Sequence, residues 1–222
     1  MKIILPEVDF VFDCGLDACC SVVVENQDLL YRAVKDISLQ IDGWEGKSVL
    51  SDENKILQFS KSGEIISQFV PFDMNRKRLI SKISARMQQT AVTDLYHMET
   101  NEFLAEWERY MMGLSGNLTG NIEFSKISVD SLIKASGIHI EDVYDNLGEQ
   151  LLDYFELVHE YDAKKLFVLV NLRSYMTDDD MNMFLEDVIA RQIQILLLES
   201  GERNLLNFEK RYIVDKDLCV LC

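Results

Sequence analysis

Lys165-Leu166-Phe167-Val168-Leu169-Val170-Asn171 is the stretch whose reading decides the fold. A polar helical stretch opening at Thr177 follows it, then Gln194-Ile195-Leu196-Leu197-Leu198-Glu199 and Tyr212-Ile213-Val214. Short aliphatic and β-branched runs separated by an amphipathic helix are the signature of strands buried on both faces of a parallel sheet. The architecture predicted is α/β. Such sheets bind ligands in the crevice beyond the carboxyl ends of their strands, where Asn171, Arg173 and Ser174 are expected to lie.

Upstream, short strands are expected at Lys2 to Leu5, Phe10 to Phe12 and Cys20 to Glu25. Asn26 then caps a helix to about Leu39, with Leu29, Leu30, Ala33, Val34 and Ile37 on its apolar face. Further strands follow at Val49 to Ser51, Ile56 to Phe59 and Glu64 to Val70. The middle reads as helical from Asp73 to about Leu114 and from Val129 to Tyr161, with a glycine-rich loop at Gly113 to Asn121. A helical subdomain over residues 74–162 is thus expected between two parts of an α/β head, 1–73 and 163–222.

The 222 residues, 48% of them hydrophobic, suffice for a full core. No run approaches the roughly 20 apolar residues of a membrane helix. The acids among the first dozen residues do not suit a secretory signal, so a cytoplasmic protein with no membrane partner is expected. The five cysteines are Cys14, Cys19, Cys20, Cys219 and Cys222. They form no disulfide framework, and small buried hydrophobes are favoured over a zinc site at the terminal Cys-x-x-Cys.

Chemical signatures are sparse. Gly43-Trp44-Glu45-Gly46-Lys47-Ser48 ends like a phosphate loop, but Ile41 stands where the first glycine should be, and a strand follows instead of a helix. No nucleotide is expected. His97, His139 and His159 lack metal-ligand spacing, no nucleophile elbow occurs, and an enzyme is not expected. Asp178-Asp179-Asp180 suits a helix N-terminus opened by Thr177 better than a metal. Between Val143 and Tyr161 an apolar face (Val143, Leu147, Leu151, Tyr154, Val158) opposes an acidic one (Asp145, Glu149, Asp153, Glu156, Glu160). That acidic face is either solvated or a surface for a basic or cation-dependent partner.

The net charge of −16 repels nucleic acid at long range, yet its distribution is uneven. Residues 74–93 hold Arg76, Lys77, Arg78, Lys82 and Arg86 and none of the 38 acids. At helical periodicity Arg78, Lys82 and Arg86 line one stripe and rise about 6 Å apart, suited to following phosphates without reading bases. The competing reading is an ordinary solvated face paired with the acidic remainder.

The ordered series Lys165 to Asn171, Ser174-Tyr175 with Thr177-Asp178-Asp179, Leu196 to Glu199 and Tyr212 to Asp217 resembles the type II-A CRISPR adaptation proteins of the Csn2 family. Ser131 to Glu141 also fits a helix and strand of that family, and weaker similarity runs from Met1 through the basic helix. The resemblance implies an NTPase-like head with a mostly parallel sheet and no working phosphate loop, and a projecting helical leg. It implies a non-enzymatic bacterial homotetrameric ring that binds double-stranded DNA ends without sequence preference. That ring would act in spacer acquisition, and so in antiviral defence, beside the CRISPR integrase pair and the effector nuclease. The DNA contacts expected are Arg76, Lys77, Arg78, Lys82 and Arg86, with Lys126 and Arg173 behind them. The resemblance also brings calcium, held by leg acids. Here the corresponding run, Asn117 to Lys126, keeps only Glu123, with Asn121 as a weaker ligand, against the six to eight oxygens calcium takes, so the ion is either lost, relocated to Glu102, Glu106 or Asp130, or replaced by direct packing. The alternative is a scaffold of the same fold that docks basic proteins and does not itself bind DNA.

Overall fold

The computed structural model describes residues 1–221. In chain order the first elements are β1 (Lys2–Ile4), β2 (Phe12–Asp13), β3 (Cys19–Val24), α1 (Gln27–Ile41), β4 (Val49–Asp52), β5 (Lys55–Leu57), α2 (Phe59–Ser62) and β6 (Gly63–Ile66). Three helices come next, α3 (Lys77–Ala91), α4 (His97–Ser115) and α5 (Val129–Ala135). The chain continues with α6 (Leu147–Asp162), β7 (Leu166–Val170), α7 (Asp178–Ala190), β8 (Gln194–Glu199), β9 (Glu209–Val214) and β10 (Val220–Leu221). They fall into two compact units, Met1–Asp73 with Val143 onward, and Met74–Asp142.

The first unit is built on a sheet in the order β10-β9-β3-β8-β7-β6. β9, β3, β8, β7 and β6 are mutually parallel, and only β10 runs antiparallel. All five residues of β7 and all six of β3 are buried, as the unbroken apolar runs require of strands covered on both faces. The period of two divides their side chains. Leu166, Val168, Val170, Cys20, Val22, Val24, Leu196 and Leu198 join one cluster with Leu29, Ala33 and Ile37 of α1 and Ile3 of β1. On the opposite face Phe167 stacks on Phe155 of α6 at 4.2 Å. The early strands β2, β1, β4 and β5 form a separate antiparallel sheet, and β1 delivers Ile3 to the shared core.

Local sequence sets the helix boundaries. Asn26 accepts the Leu29 N–H at 3.0 Å, Asn146 the Glu149 N–H at 2.8 Å, and Thr177 the Asp180 N–H at 3.2 Å. Thr177 therefore caps α7, and Asp178, Asp179 and Asp180 fill its first turn, as expected. The cap at Asn146 also ends the expected helix short of Val143, which is exposed outside it. The sequence reading grouped α6 with residues 74–142. In the structure α6 lies in the unit of the sheet, because Leu152 and Phe155 are buried along with Leu151, Tyr154 and Val158 and widen its apolar face.

The expected strand at Ile56 to Phe59 ends at Leu57, since Phe59 opens α2, and the expected strand at Glu64 to Val70 stops at Ile66. Cys14, Cys19 and Cys20 are buried as expected; Cys219 is exposed, and Cys222 lies outside the described residues. No helix among the described residues is long and apolar enough to cross a membrane.

In the second unit a break at residues 92–96 divides the expected long helix into α3 and α4, and α3 packs on α5. The segment that resembles a strand near Ile140 is irregular. Asn75 grips its backbone, accepting the Ile140 N–H at 2.6 Å and donating to the Ile140 carbonyl at 3.0 Å. Residues 116–128 are irregular as well.

Candidate nucleic-acid interface

α3 buries Leu79 and half-buries Ile80 and Ile83, leaving the opposite side to its bases. Lys77, Arg78, Lys82 and Arg86 are exposed, whereas Arg76, at the N-cap position, is half-buried. Arg78, Lys82 and Arg86 recur every fourth residue within one unbroken helix, so they share a stripe and rise about 6 Å apart. α3 has no acid in its first turn and no base in its last. Lys77 and Arg78 therefore sit in the turn where the helix dipole does not favour cations. Lys126 projects from the irregular segment with 88% of its side chain exposed, 3.9 Å from Glu108 on α4. A surface pair this long contributes little.

Arg173 is placed otherwise than expected. Its side chain is 3% exposed, and its guanidinium lies 2.8 Å from Asp178 and 3.5 Å from Glu209. It also donates to the Asn204 carbonyl at 2.9 Å, and its Nε has no hydrogen-bond partner among the described residues. These bonds anchor the crossing between β8 and β9, so the guanidinium is consumed by the fold and is not presented to a phosphate. Asn171 is similarly engaged. It takes a left-handed conformation at φ 57° and accepts the Ser200 N–H at 2.8 Å. Ser174 is exposed, with its Oγ 3.4 Å from Arg203. The crevice at the ends of β7 and β8 is thus closed by the chain's own groups.

Glu199 belongs to this closure and is the residue sequence reasoning missed. It is 3% exposed and accepts the Arg173 backbone N–H at 3.2 Å. Burial pushes its carboxyl from the ordinary 4.5 up to about 7, against the pull of Arg173 and Arg203. The only sequence signal was a charged residue ending an otherwise apolar strand.

The two places where a phosphate would be sought are also occupied. The connection from β3 to α1 is only Glu25-Asn26, and the Asn26 side chain takes the amide that an anion would use. In the Gly43-to-Ser48 loop the Lys47 and Ser48 amides both donate to Asp36 at 2.8 Å, and Gln40 donates to the same carboxylate at 2.9 Å. Burial pushes the Asp36 carboxyl up, but the bonds from Ser48, Lys47 and Gln40 outweigh it and hold it below its ordinary value. β4 follows this loop, as expected.

Asn121 and Glu123 are both exposed in the irregular segment, and no three His, Cys, Asp or Glu side chains converge on a metal position among the described residues. One carboxylate and one amide do not fit calcium, which takes six to eight oxygens.

Comparison with known proteins bears on most of the chain. A family model described as CRISPR-associated protein (Cas_Csn2) matches residues 40–218. A CRISPR-associated protein Csn2 of Enterococcus faecalis is 30% identical over 98 residues, 44% of this chain and 43% of that protein. Another, from Streptococcus agalactiae, is 30% identical over 97 residues, 44% of this chain and 42% of that protein. The aligned segment spans less than half the length of these curated relatives.

Proposed function

The chain belongs to the CRISPR-associated Csn2 family, and from that premise we propose that it serves CRISPR adaptation as a non-enzymatic protein that binds double-stranded DNA ends without regard to sequence. The observation that carries the reading is the exposed stripe Arg78, Lys82 and Arg86 on one helix of a chain whose net charge is −16. Exposed, regularly spaced bases supply the sequence-independent part of DNA binding, since phosphates are contacted and base edges are not. Lys77, Arg76 and Lys126 are the outer contacts of the same interface.

The active form is a homotetrameric ring, which gathers a few bases from each subunit onto one duplex. Self-association is supported by α4, which buries none of its residues and leaves Phe103, Tyr110 and Leu114 exposed along one side. The sheet unit is an NTPase-like head in which Asn26 and Asp36 occupy the positions a phosphate would take. The ring works in the bacterial cytoplasm beside the CRISPR integrase pair and the effector nuclease. Asn121 and Glu123 supply too few oxygens for calcium, so a chelator should leave DNA binding unchanged.

The test is binding to linear and to covalently closed circular duplex of one sequence across a salt series. Salt-sensitive binding to linear DNA alone is expected. Reversal of Arg78 and Lys82 to glutamate should abolish it while leaving the oligomer intact, and neutralising the two should flatten the log K against log salt slope by about two for each subunit whose stripe engages the duplex. Full affinity in the reversed variant, or no salt-sensitive binding to either DNA form by the wild type, would overturn the reading in favour of a protein scaffold.

A further inference from the structure

Within the sheet unit, the first turn of α6 and the N-terminal half of α7 border a groove of about 330 Å³. Its floor is apolar, formed by Leu152, Met176, Met183 and Phe184. Met183 is 60% exposed and Tyr175 at one end is 51% exposed, so this apolar surface opens to solvent. Gly148 keeps the floor open, since a Cβ there would come within 3.3 Å of the Met176 methyl. The lining includes three carboxylates, Glu149, Asp180 and Asp187, and no base. On the same helices Asp153 and Glu156 both reach Arg191, and Asp178 reaches Arg173. The side chains of Glu149 and Asp187, both exposed, stand along the groove without such a cation among the described residues.

We propose that this groove docks a basic amphipathic helix of a partner protein. Its apolar side chains would lie on the Met176, Met183 and Phe184 floor, with lysines or arginines against Glu149, Asp180 and Asp187. The argument is complementarity of two kinds. Flexible thioethers form an adaptable apolar bed of the sort that helix-in-groove recognition uses. A rim of one sign favours a cationic partner and repels an acidic one, including a second copy of this chain, whose matching groove carries the same charges. The inference rests on the adaptation reading only in supplying an assembly that has protein partners. It uses none of the residues assigned to DNA.

The probe is a fluorescein-labelled Leu/Lys amphipathic helical peptide carrying one photo-crosslinking residue, with a Leu/Glu peptide of the same pattern as control. The wild-type chain should bind the lysine peptide only, and crosslinks should fall on residues 146–152 and 175–187. Met183→Glu should weaken binding by about tenfold, the effect of losing one central apolar anchor. Glu149→Lys with Asp187→Lys should do at least as much. Asp17→Lys with Glu25→Lys makes the same change in net charge on exposed positions outside the groove and should leave binding within about twofold.

Equal losses in the two lysine pairs, or crosslinks scattered over the surface, would show mere attraction to an acidic protein and overturn the proposal. Loss of self-association in the groove variants would overturn it in favour of a second copy as the occupant. Linear-duplex binding is measured on every variant. Its absence from the wild type would refute the DNA reading and leave the groove result standing, and its retention beside an unchanged Met183→Glu affinity would refute the groove alone.

Discussion

Glu199→Gln should change stability in a way that depends on pH, and the structure fixes both sign and size. The wild-type carboxyl titrates at about 7 in the folded chain against an ordinary value of 4.5, chiefly because it is buried. Between those values the folded state holds a proton that the unfolded state has released. Wild-type stability from this group is therefore complete below about pH 4.5, falls as pH rises towards 7, and is level above that. At about 1.4 kcal/mol per unit of displacement the loss is about 3 kcal/mol, an order-of-magnitude figure. Glutamine keeps the oxygen that accepts the Arg173 N–H and has nothing to ionise. The variant should match the wild type near pH 4 and exceed it by about 3 kcal/mol at pH 8.5, the attraction of Arg173 for the ionised carboxylate being already contained in the folded value. Urea midpoints of both proteins, at several pH values and one protein concentration, measure the difference directly, because all other titrations are shared. A gap that stays constant from pH 5 to 8.5 would refute the reasoning and place the carboxyl in contact with water.

Four further perturbations bear on the fold and its interface. Asp36→Ala should cost about 2 kcal/mol at neutral pH, since two loop amides lose a charged acceptor. The benefit of that lowered carboxyl is present above its ordinary pKa and fades as pH falls through the folded value, so wild type and variant should converge in acid-titration melts. Arg173→Ala should cost about 3–5 kcal/mol by denaturant titration, because it strands buried carboxylates. The salt slope of DNA binding by the chain that remains folded should not change. Phe167→Ala should cost about 3–5 kcal/mol through the cavity it leaves against Phe155. Phe103→Lys with Tyr110→Lys on α4 should shift the protein to smaller species in sedimentation, and duplex affinity should fall despite two added cations.

Sequence reasoning reached those parts of the fold whose physics is local. A strand covered on both faces must be apolar at every position, so β7, β3 and β8 announce themselves, and a helix needs a cap, so Asn26 and Thr177 mark starts. What partners a face was not legible. The pattern of α6 shows an apolar side but not the surface that side meets, and a face of Val143, Leu147, Leu151, Tyr154 and Val158 leaves out the buried Leu152 and Phe155. The same gap explains Arg173. Its partners Asp178, Asn204 and Glu209 come together only when α7 and the β8-to-β9 crossing fold against the end of β7, so an arginine at a strand end looked available when it is buried. Asp36 is the reverse case, an unremarkable helix acid that folding turns into the clamp of a phosphate-loop mimic.

The charge of the chain and the proposed ligand are reconciled by distance. At physiological ionic strength a charge is felt over about 8 Å, so a phosphate at the α3 stripe responds chiefly to the charges next to it, Arg78, Lys82 and Arg86 among them. The −16 total acts instead at longer range and lower salt, where it slows approach and disfavours loose, nonspecific coating of DNA. A single stripe of three exposed bases is nevertheless a weak binder, because each phosphate contact contributes little and is lost with salt. Binding strong enough to matter must therefore come from several stripes engaging one duplex together, where each further contact is intramolecular and gains from effective concentration. On the proposed reading, the acidic surface would leave the assembled stripes as the place where a duplex is held, so that binding and assembly would become a single event. On this reasoning the exposed apolar side of α4 and the basic side of α3 are parts of one device.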